Sequence, residues 1–171
     1  MRRSHAITAK GGPNRLFALL AVAGIGMVIA ALVLAQMFRL AACPLCILQR
    51  MEYLALAFAA IVALLLPRCK LSQTLAALGC VAATGAGVVT AGYQVWLQRF
   101  GQGASCTADS PWWEQLVDWA GEKIPALFRA SGLCSEPGWK FLDLSVADWS
   151  AIAFAVLLLV SVVALVKRLR S

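Results

Sequence analysis

The sequence predicts an all-α membrane protein, a four-transmembrane-helix bundle with a short interfacial helix in its second outer loop. Composition, four long apolar runs and the placement of charge predict it. Of 171 residues, 61% are hydrophobic and only 13% charged. A soluble domain of this length needs more polar surface, so lipid must cover much of the exterior.

The apolar runs extend from Leu16 to Phe38, Ile47 to Leu66, Leu71 to Leu97 and Val146 to Val166. A helix rising ~1.5 Å per residue needs about 20 residues to cross the hydrocarbon core. In lipid the backbone must satisfy its own hydrogen bonds, so each run is expected to be a helix. The first run exceeds the ~7–15 apolar residues of a cleaved signal peptide, so it reads as a retained span. The third is rich in small residues, Gly79, Ala83, Gly85, Gly87 and Gly92, which let membrane helices approach closely.

The net charge of +7 is distributed as a topology signal. Arg2, Arg3, Lys10 and Arg15 precede the first run, Arg68 and Lys70 separate the second from the third, and Lys167, Arg168 and Arg170 follow the fourth. Those three segments carry no acidic residue, whereas the connection from Arg99 to Asp148 carries Asp109, Glu114, Asp118, Glu122, Glu136, Asp143 and Asp148. Positive flanks stay on the cytoplasmic side, so both termini are expected inside, and basicity is no sign of nucleic-acid binding. The chain reads as a single domain, 1–171, with spans at approximately 16–38, 47–66, 71–97 and 146–166 and outer loops 39–46 and 98–145.

The long outer loop is not uniformly polar. Trp112, Leu116 and Trp119 recur at helical spacing among Glu114, Asp118, Glu122 and Lys123. Tryptophan favours the membrane–water interface, so a short amphipathic helix lying on the outer leaflet is expected, ended or kinked by Pro125.

The six cysteines sort by predicted side. Cys69, in the inner loop, reads as a reduced thiol, and Cys80, within the third span, as a small buried hydrophobe. Cys43, Cys46, Cys106 and Cys134 face an oxidising compartment. Taken alone, Cys106 and Cys134 read more readily as a loop staple than as catalytic groups. Cys43-Pro-Leu-Cys46 changes that weighting: this is the spacing of dithiol oxidoreductases, whose two sulfurs bridge and reopen without large motion. Cys46 falls near the N-terminus of the second span, where the helix dipole and free amides favour a thiolate. Arg50 follows one turn later on the same face. An arginine there serves either as an interfacial anchor or in the chemistry, and spacing leaves both open. Four cysteines allow three pairings, and spacing does not choose among them.

From about Leu16 to Val166 the sequence resembles the disulfide bond formation protein B (DsbB) family. The resemblance is carried by Cys43-Pro-Leu-Cys46-Ile-Leu-Gln-Arg50, by four spans with both termini inside, and by an outer loop with two cysteines. Ser131-Gly-Leu-Cys134 through Trp139 and Phe141 adds to it. It implies a multi-pass protein of the bacterial inner membrane, with N- and C-termini cytoplasmic and the outer loops periplasmic. The implied activity is that of a quinone-dependent thiol oxidase that reoxidises a DsbA-like periplasmic thiol oxidase. The resemblance further implies that a Cys106–Cys134 disulfide meets the reduced partner and that the partner thiolate attacks Cys106. Cys134 then attacks Cys43, and Cys46 becomes the thiolate facing ubiquinone or menaquinone, with Arg50 and Gln49 beside the quinone head. A histidine often stands near the end of the third span in this family. Here Gln94 occupies that neighbourhood, and the only histidine is His5.

Two rivals share much of this pattern. A paralogue serving a different periplasmic thiol oxidase differs only in its loop surfaces. A non-enzymatic protein with disulfide-stapled loops predicts bridges that resist mild reduction and ignore quinone. A zinc site is disfavoured, because the usual second Cys-x-x-Cys is absent and the outer side favours oxidation.

Overall fold

The computed structural model describes residues 13–65, 70–101, 111–136 and 138–170. Four helices in it are long and apolar enough to cross a membrane: α1 (Pro13–Met37), α2 (Pro44–Leu65), α3 (Lys70–Phe100) and, last in the chain, α6 (Val146–Leu169). Between α3 and α6 lie α4 (Trp112–Lys123), α5 (Pro125–Phe128) and a hairpin of β1 (Lys140–Phe141) and β2 (Leu144–Ser145). Arg68 and Cys69 lie outside the described residues, as does Cys106.

The helix ends follow from local chemistry. Proline opens both α1 and α2, where its missing N–H would have no helical partner. After Met37, Arg39 takes a left-handed φ of 49° and the Leu40 amide donates to the Ala35 carbonyl at 2.9 Å. This reversal satisfies a terminal carbonyl and turns the chain back within a few residues, which sets Cys43 at the mouth of α2. Ser145 and Asp148 cap α6 reciprocally: the Asp148 amide donates to Ser145 Oγ at 3.2 Å, and the Ser145 amide donates to Asp148 Oδ2 at 2.9 Å. Lys167 and Arg168 occupy its last turn, where cations suit the dipole.

The helices pack in the cycle α1–α2–α3–α6, with the α1–α6 seam the loosest. One half of the core joins Phe17, Leu20, Leu56, Ala60 and Cys80, and the other joins Val28, Tyr53, Ala91 and Phe154. Cys80 is fully buried, as expected of a small hydrophobe. Glu52, the one acidic residue outside the Arg99–Asp148 connection, accepts a 2.6 Å hydrogen bond from Thr90 Oγ1 across the α2–α3 contact.

Small residues on α3 play two roles. Gly87 lies against the Phe154 ring with no space for a Cβ, and Gly79 faces Ala59. Gly85 and Gly92 instead have nothing within 4 Å of where a Cβ would stand, because they fall on the outward face. Gly87→Val is therefore expected to cost about 1–3 kcal/mol through overpacking. Gly85→Val serves as the control, and thermal melts of helical signal in detergent read the difference.

α4 and α5 form the expected amphipathic segment. Trp112, Leu116 and Trp119 are exposed on α4, while Val117 and Ala120 are buried. Pro125 starts α5 after the break at Ile124. Near α6, Trp139, Phe141 and Trp149 form an aromatic ladder, extended to α1 by Phe38, which stacks on Trp139 at 4.9 Å.

Candidate active site

Cys43 caps α2. The Cys46 amide donates to Cys43 Sγ at 3.3 Å, so sulfur takes the place usually held by a serine or aspartate oxygen. The spacing of the motif thus has a direct structural reading: N-cap, proline at the first helical position, then Cys46 two residues on. The two sulfurs lie 2.9 Å apart as free thiols.

Cys46, Gln49, Arg50 and Tyr53 follow the i, i+3, i+4, i+7 pattern and share one face of α2. That face meets α3 at Gln94. The Gln94 Nε2 group lies 3.3 Å from Cys43 Sγ and 3.1 Å from Cys46 Sγ, donating to both, while its Oε1 accepts from Gln49 Nε2 at 2.6 Å. Gln49 therefore fixes the orientation in which Gln94 presents its N–H groups to sulfur. Arg50 is largely buried, and its Nη1 donates to the Leu127 carbonyl of α5 at 2.9 Å. A buried cation at this depth requires such partners.

The third sulfur arrives from the long loop. The Ser131 and Gly132 amides donate to the Ala42 carbonyl at 2.8 and 3.0 Å. Gly132 sits so tightly on the Ala41 carbonyl that any Cβ would collide with it. This backbone docking sets the Cys134 thiol in hydrogen-bonding contact with Cys43, and the Leu45 amide also donates to Cys134 Sγ. The hydrogen bond from Cys43, helped by that amide, holds the Cys134 thiol below its ordinary value. The same bond to Cys134, the contact with Cys46 and burial push the Cys43 thiol up. The shared hydrogen bond thus favours the anion on Cys134 and the proton on Cys43.

Alkylation of the reduced protein is expected to follow these directions. Cys134 should react with a midpoint below that of a free cysteine, and Cys43 should resist until well above it. Cys43→Ala removes the principal lowering contact and should move the Cys134 midpoint back up. Peptide mass spectrometry after timed iodoacetamide pulses across pH reads both effects.

A cavity of about 280 Å³ adjoins Cys43 and Cys46. Gln49, Arg50, Gln94 and Tyr53 contribute its polar wall, whereas Met27 and Ala30 of α1 and Ala147 of α6 contribute apolar surface. It lies along the loose α1–α6 seam. Of the residues singled out from sequence, Cys43, Cys46, Gln49, Arg50 and Cys134 come together here, while Cys106 falls outside the described residues. Tyr53 was not singled out, although its seven-residue spacing from Cys46 placed it on the same face.

Comparison with known proteins agrees with this architecture. The family model described as "Disulfide bond formation protein DsbB" matches residues 13–164. "Disulfide bond formation protein B" of Dechloromonas aromatica is 36% identical over 157 residues, covering 91% of this chain and 93% of that protein. "Disulfide bond formation protein B 2" of Pseudomonas aeruginosa is 36% identical over 157 residues, covering 86% and 88%. The Psychrobacter cryohalolentis protein of the same family name is 33% identical over 144 residues, covering 82% and 81%. With four apolar helices and a dithiol at the mouth of the second, the chain belongs to the DsbB family and is a multi-pass membrane protein of disulfide bond formation.

Proposed function

We propose that the protein reoxidises a DsbA-like periplasmic thiol oxidase and passes the electrons to a membrane quinone. The observation that carries this reading is the run of sulfur contacts from Cys134 to Cys43 to Cys46, which ends at an apolar cavity. Such a run links a loop that a periplasmic protein can reach to a site that a lipid-soluble acceptor can reach.

The reaction is a series of thiolate–disulfide exchanges. The partner thiolate attacks Cys106 of a Cys106–Cys134 disulfide, and Cys134 leaves as the thiolate. Its position against the α2 N-terminus supports attack on Cys43 Sγ of a Cys43–Cys46 disulfide. Cys46 then leaves as a thiolate beside the Gln94 N–H group, with the Arg50 cation one turn away. The partner's second thiolate releases Cys106, which attacks Cys134 and restores the loop disulfide. The Cys43–Cys46 dithiol remains.

The cavity fits a quinone head, with apolar walls and N–H donors gathered at its cysteine end. Cys46, Arg50, Gln49 and Gln94 would hold it there. A bound quinone supplies a two-electron, two-proton acceptor, so that the dithiol returns to the disulfide as quinol forms. The charge distribution supports an inner-membrane orientation with cytoplasmic termini. Arg15, Lys70, Lys167 and Arg168 gather at the bundle end opposite Cys43. Residues 1–171 are proposed to act as one domain.

The test mixes protein purified in detergent with a reduced DsbA-type partner and a soluble ubiquinone analogue, following quinone absorbance. Quinone loss in step with partner oxidation is expected. No loss with either a ubiquinone or a menaquinone analogue, from correctly folded protein, contradicts the reading.

A further inference from the structure

Tyr53 lines the cavity although its ring is part of the core, and its hydroxyl reaches Ser150, which lines the same cavity. Only 4% of the residue is exposed. The ring stacks on Phe154 with centroids 4.0 Å apart and an interplanar angle of 10°. Phe154 is itself pressed against Gly87, which leaves it no room to withdraw. Tyr53 Oη is therefore held in one place, as a recognition group should be.

Phenylalanine would fill the same space and keep the stack, so packing does not explain the hydroxyl. Its hydrogen bonds do not explain it either. The Ser150 carbonyl accepts from it only at 3.5 Å, a long and weak contact, and Ser150 Oγ lies at 3.2 Å, where either hydroxyl can donate. When Ser150 donates, the phenolic proton is free for an acceptor in the cavity. A hydroxyl at this depth among alanine and methionine side chains is costly unless an acceptor meets it.

Spacing along α2 sets the Tyr53 backbone beyond that of Arg50 and Cys46. Tyr53 lies three residues beyond Arg50, an axial rise of about 4.5 Å, and seven beyond Cys46, about 10.5 Å. A para-quinone ring carries its two carbonyl oxygens at opposite ends, about 5 Å apart from ordinary bond lengths. With one carbonyl met by Arg50 and Gln94, the opposite carbonyl would need a further donor in the cavity wall, and Tyr53 lines that wall. We infer that Tyr53, backed by Ser150, is the second hydrogen-bond donor to the quinone head, meeting the carbonyl farther from the cysteines. This rests on the quinone reading above. It makes the cavity selective for a ring with acceptors at both ends.

The test measures binding rather than turnover. Quenching of tryptophan fluorescence by a short-chain ubiquinone analogue gives Kd for wild type, Tyr53→Phe, Ser150→Ala and Tyr93→Phe. Trp139 and Trp149 line the cavity and report occupancy. Tyr53→Phe is expected to raise Kd about tenfold, the worth of one hydrogen bond in a partly dry site, and Ser150→Ala about threefold. Tyr93, exposed on α3, is the control and should leave Kd unchanged. Infrared difference spectra with quinone labelled with carbon-13 at one carbonyl should show that band rising in Tyr53→Phe, the other staying in place. An unchanged Kd and unshifted carbonyl bands in a folded Tyr53→Phe protein overturn the inference and leave the quinone reading standing. Should Tyr53→Phe fail to fold, an unchanged Kd in Ser150→Ala overturns it instead. Failure of the wild type to bind any quinone overturns both.

Discussion

Cys46→Ser is expected to reduce quinone turnover to the uncatalysed background while the helical bundle remains intact. Serine keeps the size and the hydrogen bond from Gln94 but cannot bridge to Cys43, so the electron pair has no route out of the sulfur run. The loss is complete because a disulfide needs both of its sulfurs. Cys43→Ser should have the same consequence for a different reason, since it removes the atom that Cys134 attacks in the proposed relay. The check is quinone absorbance with reduced partner, alongside the thermal midpoint of each variant. Substantial residual turnover in either variant places the acceptor elsewhere.

Gly132→Val separates the two halves of the pathway. Its Cβ would collide with the Ala41 carbonyl, and the loop must lift to accommodate it. That breaks the Ser131 and Gly132 hydrogen bonds to Ala42 that bring Cys134 to Cys43. Small displacements of reacting atoms cost roughly 10²-fold in rate, so partner-driven quinone reduction should fall by about that factor. A small dithiol that reduces the Cys43–Cys46 disulfide directly bypasses the loop. With it, the variant should reduce quinone at least as fast as wild type, because lifting the loop also uncovers the buried Cys43. Equal loss with both reductants would mean that the substitution damages the bundle rather than the hand-over.

The four spans and one end of the site are legible in the sequence. The four spans declared themselves because lipid forces long apolar runs to be helices. Cys43, Cys46 and Arg50 could be placed on one helix end by counting residues. The approach of Cys134 could not be read that way. It depends on backbone amides of residues 131 and 132 meeting a carbonyl 89 or more positions earlier, and such bonds carry no side-chain signature. Gln94 was visible only as an amide where a histidine is usual. Its place between two sulfurs appears once α2 and α3 are packed and Gln49 fixes its orientation. The 140–145 hairpin was hidden for a related reason: Leu142 and Asp143 both take left-handed φ angles, 54° and 61°, where glycine or asparagine would have marked the turn. Tyr53 differs, since its spacing is plain in the sequence, but a tyrosine on a buried face is more often core than ligand.

The claim on which the rest depends is that Cys134 exchanges directly with Cys43, and peptide mapping tests it most directly. Oxidised protein, given a reduced partner whose second cysteine is replaced by alanine, then acid-quenched and alkylated, should contain a Cys43–Cys134 disulfide. The partner stays joined to Cys106, Cys134 displaces Cys46 as a thiolate, and no free Cys106 returns to resolve the bridge. Recovery of the partner joined to Cys106 with Cys134 alkylated and Cys43 still joined to Cys46 would contradict the relay.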